Sequence, residues 1–181
     1  MFMYMFERAK NKIKRLYRRA VFLDTIKSKQ KSLYVVGDYT LINRNVTIGQ
    51  NVVIYPNVMF FGQGPIVIGD NVNIGNGTIL YASDTRGGGI TIGDHVMIAA
   101  HCYIIDNDHG MEANINMMEQ KDRVKKVIIG NDVWLGAGAK ILKGSVIEEG
   151  AVVGANAVVK QTVQENCIVA GVPAKVIGQR G

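Results

Sequence analysis

His109 stands in the run IIDNDHG, three residues after Asp106 and one after Asp108. An imidazole titrates near neutral pH and can take a proton from a hydroxyl, while a neighbouring carboxylate can hold the ring in one orientation or favour its charged form. His109 is therefore the candidate base, with Asp106 and Asp108 as candidate partners. A turn residue on a solvated loop is the alternative on spacing alone. The other histidines, His95 and His101, are six residues apart, and Cys102 and Cys167 have no CxxC or Cys/His cluster around them. None of these spacings is that of a metal site, so no metal ligand set is expected. The cysteines read as buried, reduced thiols acting as small hydrophobes.

What positions His109 is a repeat. From about Leu41 onward aliphatic residues recur every six positions: Ile42, Ile48, Ile54; Ile68, Ile74, Leu80; Ile92, Ile98, Ile104; and then Ile129, Leu135, Ile141, Ile147, Val153 and Val159. Four places after each of the last set comes a small or β-branched residue, from Val133 and Ala139 to Ala157 and Val163. A period of six matches neither a helix nor a simple alternating strand. It fits a short strand turned by about 120° every six residues, so that three strands close a triangular coil that stacks on the next. The aliphatic residues then pile into columns inside the prism, and Gly, Asn and Asp supply the corners. The composition agrees, with 48% hydrophobic residues, 21 glycines and only 7% aromatics. His95 and His101 fall on different corners of one coil, which again argues against a shared metal.

A regular prism is inert, so chemistry belongs where the register breaks. The clearest break is residues 108–127, DHGMEANINMMEQKDRVKKV, too polar and irregular to continue the coil, and it reads as an extruded loop with His109 at its mouth. A second break is SDTRGGG, residues 83–89.

The repeats, the segment IIGNDVWLGAGAKILKGSVIEEGAVVGANAVVK (128–160) and the ending VAGVPAKVIG (169–178) resemble the hexapeptide-repeat acyltransferases, above all the galactoside, maltose and xenobiotic acetyltransferases. The resemblance covers roughly residues 35–178. It implies an all-β, left-handed parallel β-helix, a homotrimer with active sites between neighbouring subunits, acetyl-CoA as co-substrate, and a saccharide acceptor, glycan, lipid-linked or nucleotide-linked. His109 occupies the place of the family's base, and direct transfer to a sugar hydroxyl then requires no Cys or Ser nucleophile. Asn76, Asp84 and Asp106 are implied on the acceptor side. Trp134 projects outward where the coil resumes, beside the acceptor or the pantetheine arm, or packed on the extruded loop. Gly136, Ala137, Gly154 and Ala155 leave room for the arm close to the backbone, and Lys160 and Lys175 resemble the positions that meet the nucleotide end.

The net charge of +6 is uneven. Residues 1–31 hold ten of the 21 Lys and Arg against Glu7 and Asp24, a local +8, which leaves the other 150 residues near −2. The basicity therefore belongs to the tail, and a nucleic-acid-binding core is not expected. Residues 1–34 read as a basic segment in which Phe2, Met5, Phe6, Ala9, Ile13, Leu16, Tyr17, Ala20 and Val21 give an amphipathic helix over 2–21, preceding a β-helix domain at 35–178. That helix caps the open end of the prism or contacts an anionic membrane. The opening MFMYMF is broken at Glu7-Arg8 before a signal sequence develops, and no apolar stretch of about 18 residues is present. A cytoplasmic protein, peripheral on the inner membrane face at most, is expected. Competing readings are N-acetylation of an amino sugar or a xenobiotic, a γ-carbonic-anhydrase-like zinc enzyme on the same prism, and a non-catalytic scaffold.

Overall fold

The computed structural model describes residues 10, 12–14, 16, 17, 20, 21, 33–83 and 87–181. From Tyr34 onward the chain is a parallel β-helix with three faces. The first face stacks Tyr34–Val35, Val53–Ile54, Asn73–Ile74, Met97–Ile98, Trp134–Leu135, Val152–Val153 and Cys167–Ala170. The second stacks Tyr39–Leu41, Val58–Gly62, Ile79–Ala82, Tyr103–Ile105, Lys140–Ile141 and Val158–Val159, and the third stacks Val46–Ile48, Ile66–Ile68, Ile90–Ile92, Val127–Ile129, Val146–Ile147 and Thr162–Val163. Each strand pairs in parallel with the coil before and after it, so every short strand is completed by its neighbours rather than by its own length.

The expected columns form the core. Ile48, Ile54, Ile68, Ile74, Leu80, Ile92, Ile98, Ile104, Ile129, Leu135, Ile141, Ile147, Val153 and Val159 are all buried, as are the small companions Val133, Ala139, Ser145, Ala151, Ala157 and Val163. Cys102 and Cys167 take companion positions and are buried free thiols. Ile42 departs from the column and is 60% exposed. Leu41 packs on the core in its place, in register with Phe60 of the next coil. Asn43 then turns in where a seventh residue has entered the repeat.

Two of the three corners are built alike. Between the first and second faces, Asn57, His101 and Asn156 have positive φ, alternating with Gly77 and Gly138; between the third and first faces, Asn51, Asn71, His95, Asp132 and Asn166 do the same, with Gly150. The non-glycine φ values lie between 53° and 60°, the left-handed region that Asn, Asp and His tolerate best after glycine. Backbone N–H groups at these corners donate to the coil before, as from His101 to Asn76 (2.7 Å) and from His95 to Asp70 (2.8 Å). Both histidines are thus exposed turn residues on different corners, as the repeat predicts.

The corner between the second and third faces takes all the irregularity. In the regular coil Trp134 pairs with Val152, 18 residues later, whereas Met97 pairs with Trp134, 37 residues later. The surplus sits between Tyr103–Ile105 and Val127–Ile129, and the smaller surpluses at 62–65 and 83–89 lie on the same corner of earlier coils. Three loops therefore leave one edge of the prism, one above another. At the far end Lys175–Gln179 folds back antiparallel on Cys167–Ala170, which covers the last open edge of the first face.

Candidate active site

The extruded loop begins as a hairpin. Asn107–Asp108 pairs antiparallel with Arg123–Val124, Asn107 opposite Val124 and Asp108 opposite Arg123, and the next step of that register sets His109 against Asp122. His109 Nδ1 lies 2.8 Å from Asp122 Oδ1, with the imidazole 77% exposed. Asp122 Oδ2 accepts a hydrogen bond from Asn107 Nδ2 at 2.9 Å. One carboxylate thus joins a buried amide to an exposed imidazole. With Nδ1–H donating to Asp122, the lone pair is on Nε2, and the ring is held for proton uptake at that nitrogen. Asn107 Oδ1 is buried without a hydrogen-bond partner among the described residues.

Neither aspartate adjacent to His109 in sequence is its partner. Asp106 is fully buried, and its two oxygens accept the backbone N–H of Ser83 (2.8 Å) and Gly89 (2.6 Å), while its carbonyl accepts Lys125 N–H (2.8 Å). It ties together the feet of two loops. Asp108 points the other way and pairs with Lys143 Nζ at 2.8 Å. A short 3₁₀ turn, Met117–Glu119, shapes the tip. Gln120 pins it, donating to the carbonyls of Glu112 (3.0 Å) and Ile115 (2.8 Å) and accepting from Glu112 N–H (2.8 Å). An open cleft of roughly 430 Å³ lies beside Asp122, between Gly110, Glu112, Ile115, Gln120 and Arg123.

The remaining candidates lie elsewhere on the prism. Asn76, Gly136, Ala137 and Ala155 stack along the corner between the first and second faces, in the turns before Ile79–Ala82, Lys140–Ile141 and Val158–Val159. A Cβ on Gly136 would stand 2.6 Å from Ala155 N, so coil stacking alone demands glycine there. Trp134 projects from the first face between Met97 and Val152, half-exposed, on the side of the prism opposite the extruded loop. The packing of Trp134 against that loop is therefore not realised within the chain. Lys160 is exposed on the same corner as His109, two coils on, and Lys175 is exposed on the last strand of the first face. Asp84 lies outside the described residues. Within one chain, then, the structure groups His109 with Lys160 on one edge and Asn76, Gly136, Ala137 and Ala155 on another. Asp122 and Asn107 are the site residues that spacing did not reveal; the only sequence signal for them was the polar character of the loop and of its mouth.

The family described as "Bacterial transferase hexapeptide (six repeats)" matches residues 126–161, and "Hexapeptide repeat of succinyl-transferase" matches residues 40–82 and 65–105. The chain is 35% identical over 125 residues to WbbJ of Escherichia coli, named for O-acetyl transfer in lipopolysaccharide biosynthesis, with 65% of this chain and 62% of WbbJ aligned. It thus spans less than two thirds of that relative. WcaF of Escherichia coli, named as an acetyltransferase of colanic acid biosynthesis, is 31% identical over 133 residues, covering 74% of this chain and 69% of WcaF. The solved structure of AntD, an N-acyltransferase from Bacillus cereus in complex with dTDP and 3-hydroxybutyryl-CoA, superposes with a TM-score of 0.76 at 25% identity, covering 91% of this chain and 88% of AntD. The six-residue register, the three stacked faces and these matches lead to one assignment: the chain belongs to the hexapeptide-repeat acetyltransferase family.

Proposed function

We propose that the protein transfers an acetyl group from acetyl-CoA directly to a saccharide hydroxyl, with His109 as general base and Asp122 holding the ring. The observation that carries this is the 2.8 Å contact between His109 Nδ1 and Asp122, which leaves Nε2 on an exposed ring as the proton acceptor. The hydroxyl proton passes to Nε2 as the oxygen attacks the thioester carbonyl, the C–S bond breaks, and the imidazolium returns its proton to the departing thiolate. Atoms balance with no covalent acyl-enzyme, and both thiols of the chain are buried away from any such role.

His109 and the small-residue corner lie on different edges of one protomer, which suits a homotrimer whose site is shared, the corner of Asn76, Gly136, Ala137 and Ala155 meeting the His109 edge of the next subunit. In that arrangement the pantetheine arm runs beside Ala137 and Ala155, Lys160 and Lys175 face the nucleotide end, and Trp134 flanks the cleft.

The similarity to AntD favours a second reading, acylation of an amine on a nucleotide-linked sugar. A free amine attacks a thioester without prior proton removal, whereas a hydroxyl needs a base. An oriented imidazole is thus the better match to the alcohol. Thiol release from acetyl-CoA, measured over a panel of saccharides bearing either only hydroxyls or one free amine, decides between them. Turnover with a hydroxyl acceptor that disappears in His109→Ala, with the circular dichroism unchanged, supports the proposal; turnover confined to amines overturns its choice of acceptor.

A further inference from the structure

Residues 1–31 carry a charge of +8, while the body they precede is near −2. Within that stretch Lys10, Lys12–Lys14, Leu16–Tyr17 and Ala20–Val21 are helical. Ile13, Leu16, Tyr17 and Ala20–Val21 recur at helical spacing and so lie along one side. A helix of a globular protein buries such a stripe. Here Ile13, Leu16, Tyr17 and Val21 are between 40% and 71% exposed. Leu33, just before the first strand, and Val35 within it are fully buried, so the end of the core is covered while these four side chains stay largely open. Cover of the prism and contact with a membrane are compatible, because burial and, after it, the nearby Tyr17 push the hydroxyl pKa of Tyr39 in the first coil up, while the stripe keeps much of its surface open. Lys10, Lys12 and Lys14 are exposed along the same helix. No described helix is long and apolar enough to cross a bilayer, so a helix of this kind can only lie along one.

We propose that this segment binds the surface of an anionic membrane, with Ile13, Leu16, Tyr17 and Val21 entering the headgroup boundary and the lysines meeting lipid phosphates. Charge selects this occupant. A second copy of the same helix would bring +8 against +8, and the body of the protein offers only −2 to a neighbour. An anionic bilayer supplies dense negative charge together with an apolar layer for the exposed stripe, which a nucleic acid does not. The binding goes beyond acyl transfer and is independent of it. It would keep the enzyme at the surface where a lipid-linked acceptor resides.

The test is co-sedimentation of the full chain with vesicles of phosphatidylcholine alone or mixed with phosphatidylglycerol. Pelleting with the mixed vesicles only, and release by high salt, is the expected result. The double variant Ile13→Glu, Leu16→Glu should bind at least about tenfold more weakly with an unchanged melting temperature, and the triple variant Lys10→Gln, Lys12→Gln, Lys14→Gln should weaken binding by a similar or larger factor. The proposal fails if the parent protein stays in the supernatant with mixed vesicles at low salt, or if the double variant pellets like the parent. It also fails if the double variant melts earlier or changes oligomeric state while vesicle binding persists, because the stripe then belongs to a protein contact.

Discussion

His109 has carboxylates on its own strand, yet the one it meets is Asp122, thirteen residues along the chain. Side chains alternate along an extended strand, so Asn107 and His109 share the side that meets Asp122 while Asp106 and Asp108 face away from it, Asp106 taken by the loop feet and Asp108 by Lys143. The candidate base was legible from residue type and from its place at the register break; the carboxylate beside it was not, because cross-strand pairing is invisible to local spacing. His109→Ala is expected to lower turnover by about 10²- to 10⁴-fold, the usual scale of a general base. Asp122→Asn should cost about 10- to 100-fold through a misplaced ring. Asn107→Ala, which frees Asp122 but leaves His109 intact, should reduce kcat several-fold with KM unchanged, as steady-state kinetics with acetyl-CoA would show; a loss confined to melting temperature would make Asn107 purely structural. Cys102 offers a separate check. Burial pushes its thiol above the ordinary range, outweighing backbone N–H groups and Lys140 that act the other way. The folded protein keeps a proton that the unfolded chain releases, so this contribution to stability is whole below the ordinary thiol pKa and is lost as pH rises beyond it. Cys102→Ala, a substitution to the residue found at Ala139 and Ala151 in equivalent places, should flatten the alkaline fall in melting temperature, and the parent's thiols should react with a disulfide reagent only after unfolding.

At the level of elements, the two smaller insertions on the corner between the second and third faces are each fastened by a buried polar side chain. Asp106 fastens Ser83 and Gly89, and Asn43 does the same earlier in the prism, donating to Gly64 (2.8 Å) and Phe61 (3.2 Å) and accepting Asn45 N–H (2.7 Å). Removing such a group leaves backbone donors buried and unpaired, so Asp106→Ala should destabilise by about 2–5 kcal/mol in chemical denaturation and loosen residues 87–89 and the stem of the extruded loop in hydrogen exchange. Expected on the acceptor side, Asp106 within this chain engages both oxygens with backbone N–H groups. The six-residue period announced the strands and nearly all of the core, yet it set Ile42 inside. One extra residue before Val46–Ile48 shifts the register, and Leu41 and Asn43 take the interior. Periodicity cannot register a single insertion when two aliphatic residues stand side by side.

For the whole molecule, the distribution of candidates over two edges makes a sharp prediction about assembly. If the site is shared between subunits, His109→Ala and a variant that blocks the other edge, Ala155→Trp, should each be inactive alone. Mixed after co-refolding, they should recover a fraction of the parent's turnover, since some interfaces join two intact edges; no recovery would mean that each chain works alone. The sequence by itself determined the prism, because an interior column of aliphatic residues and left-handed corner residues must recur wherever short strands stack in parallel. It also singled out His109 as the candidate base and showed where the charge of the tail is concentrated. Only the tertiary structure decided that Asp122 orients the imidazole, that Asp106 is a structural clamp, and that the helical stripe of the tail lies exposed. Each of these depends on contacts between residues distant along the chain, and such contacts follow from register and burial, which no short window of residue types contains.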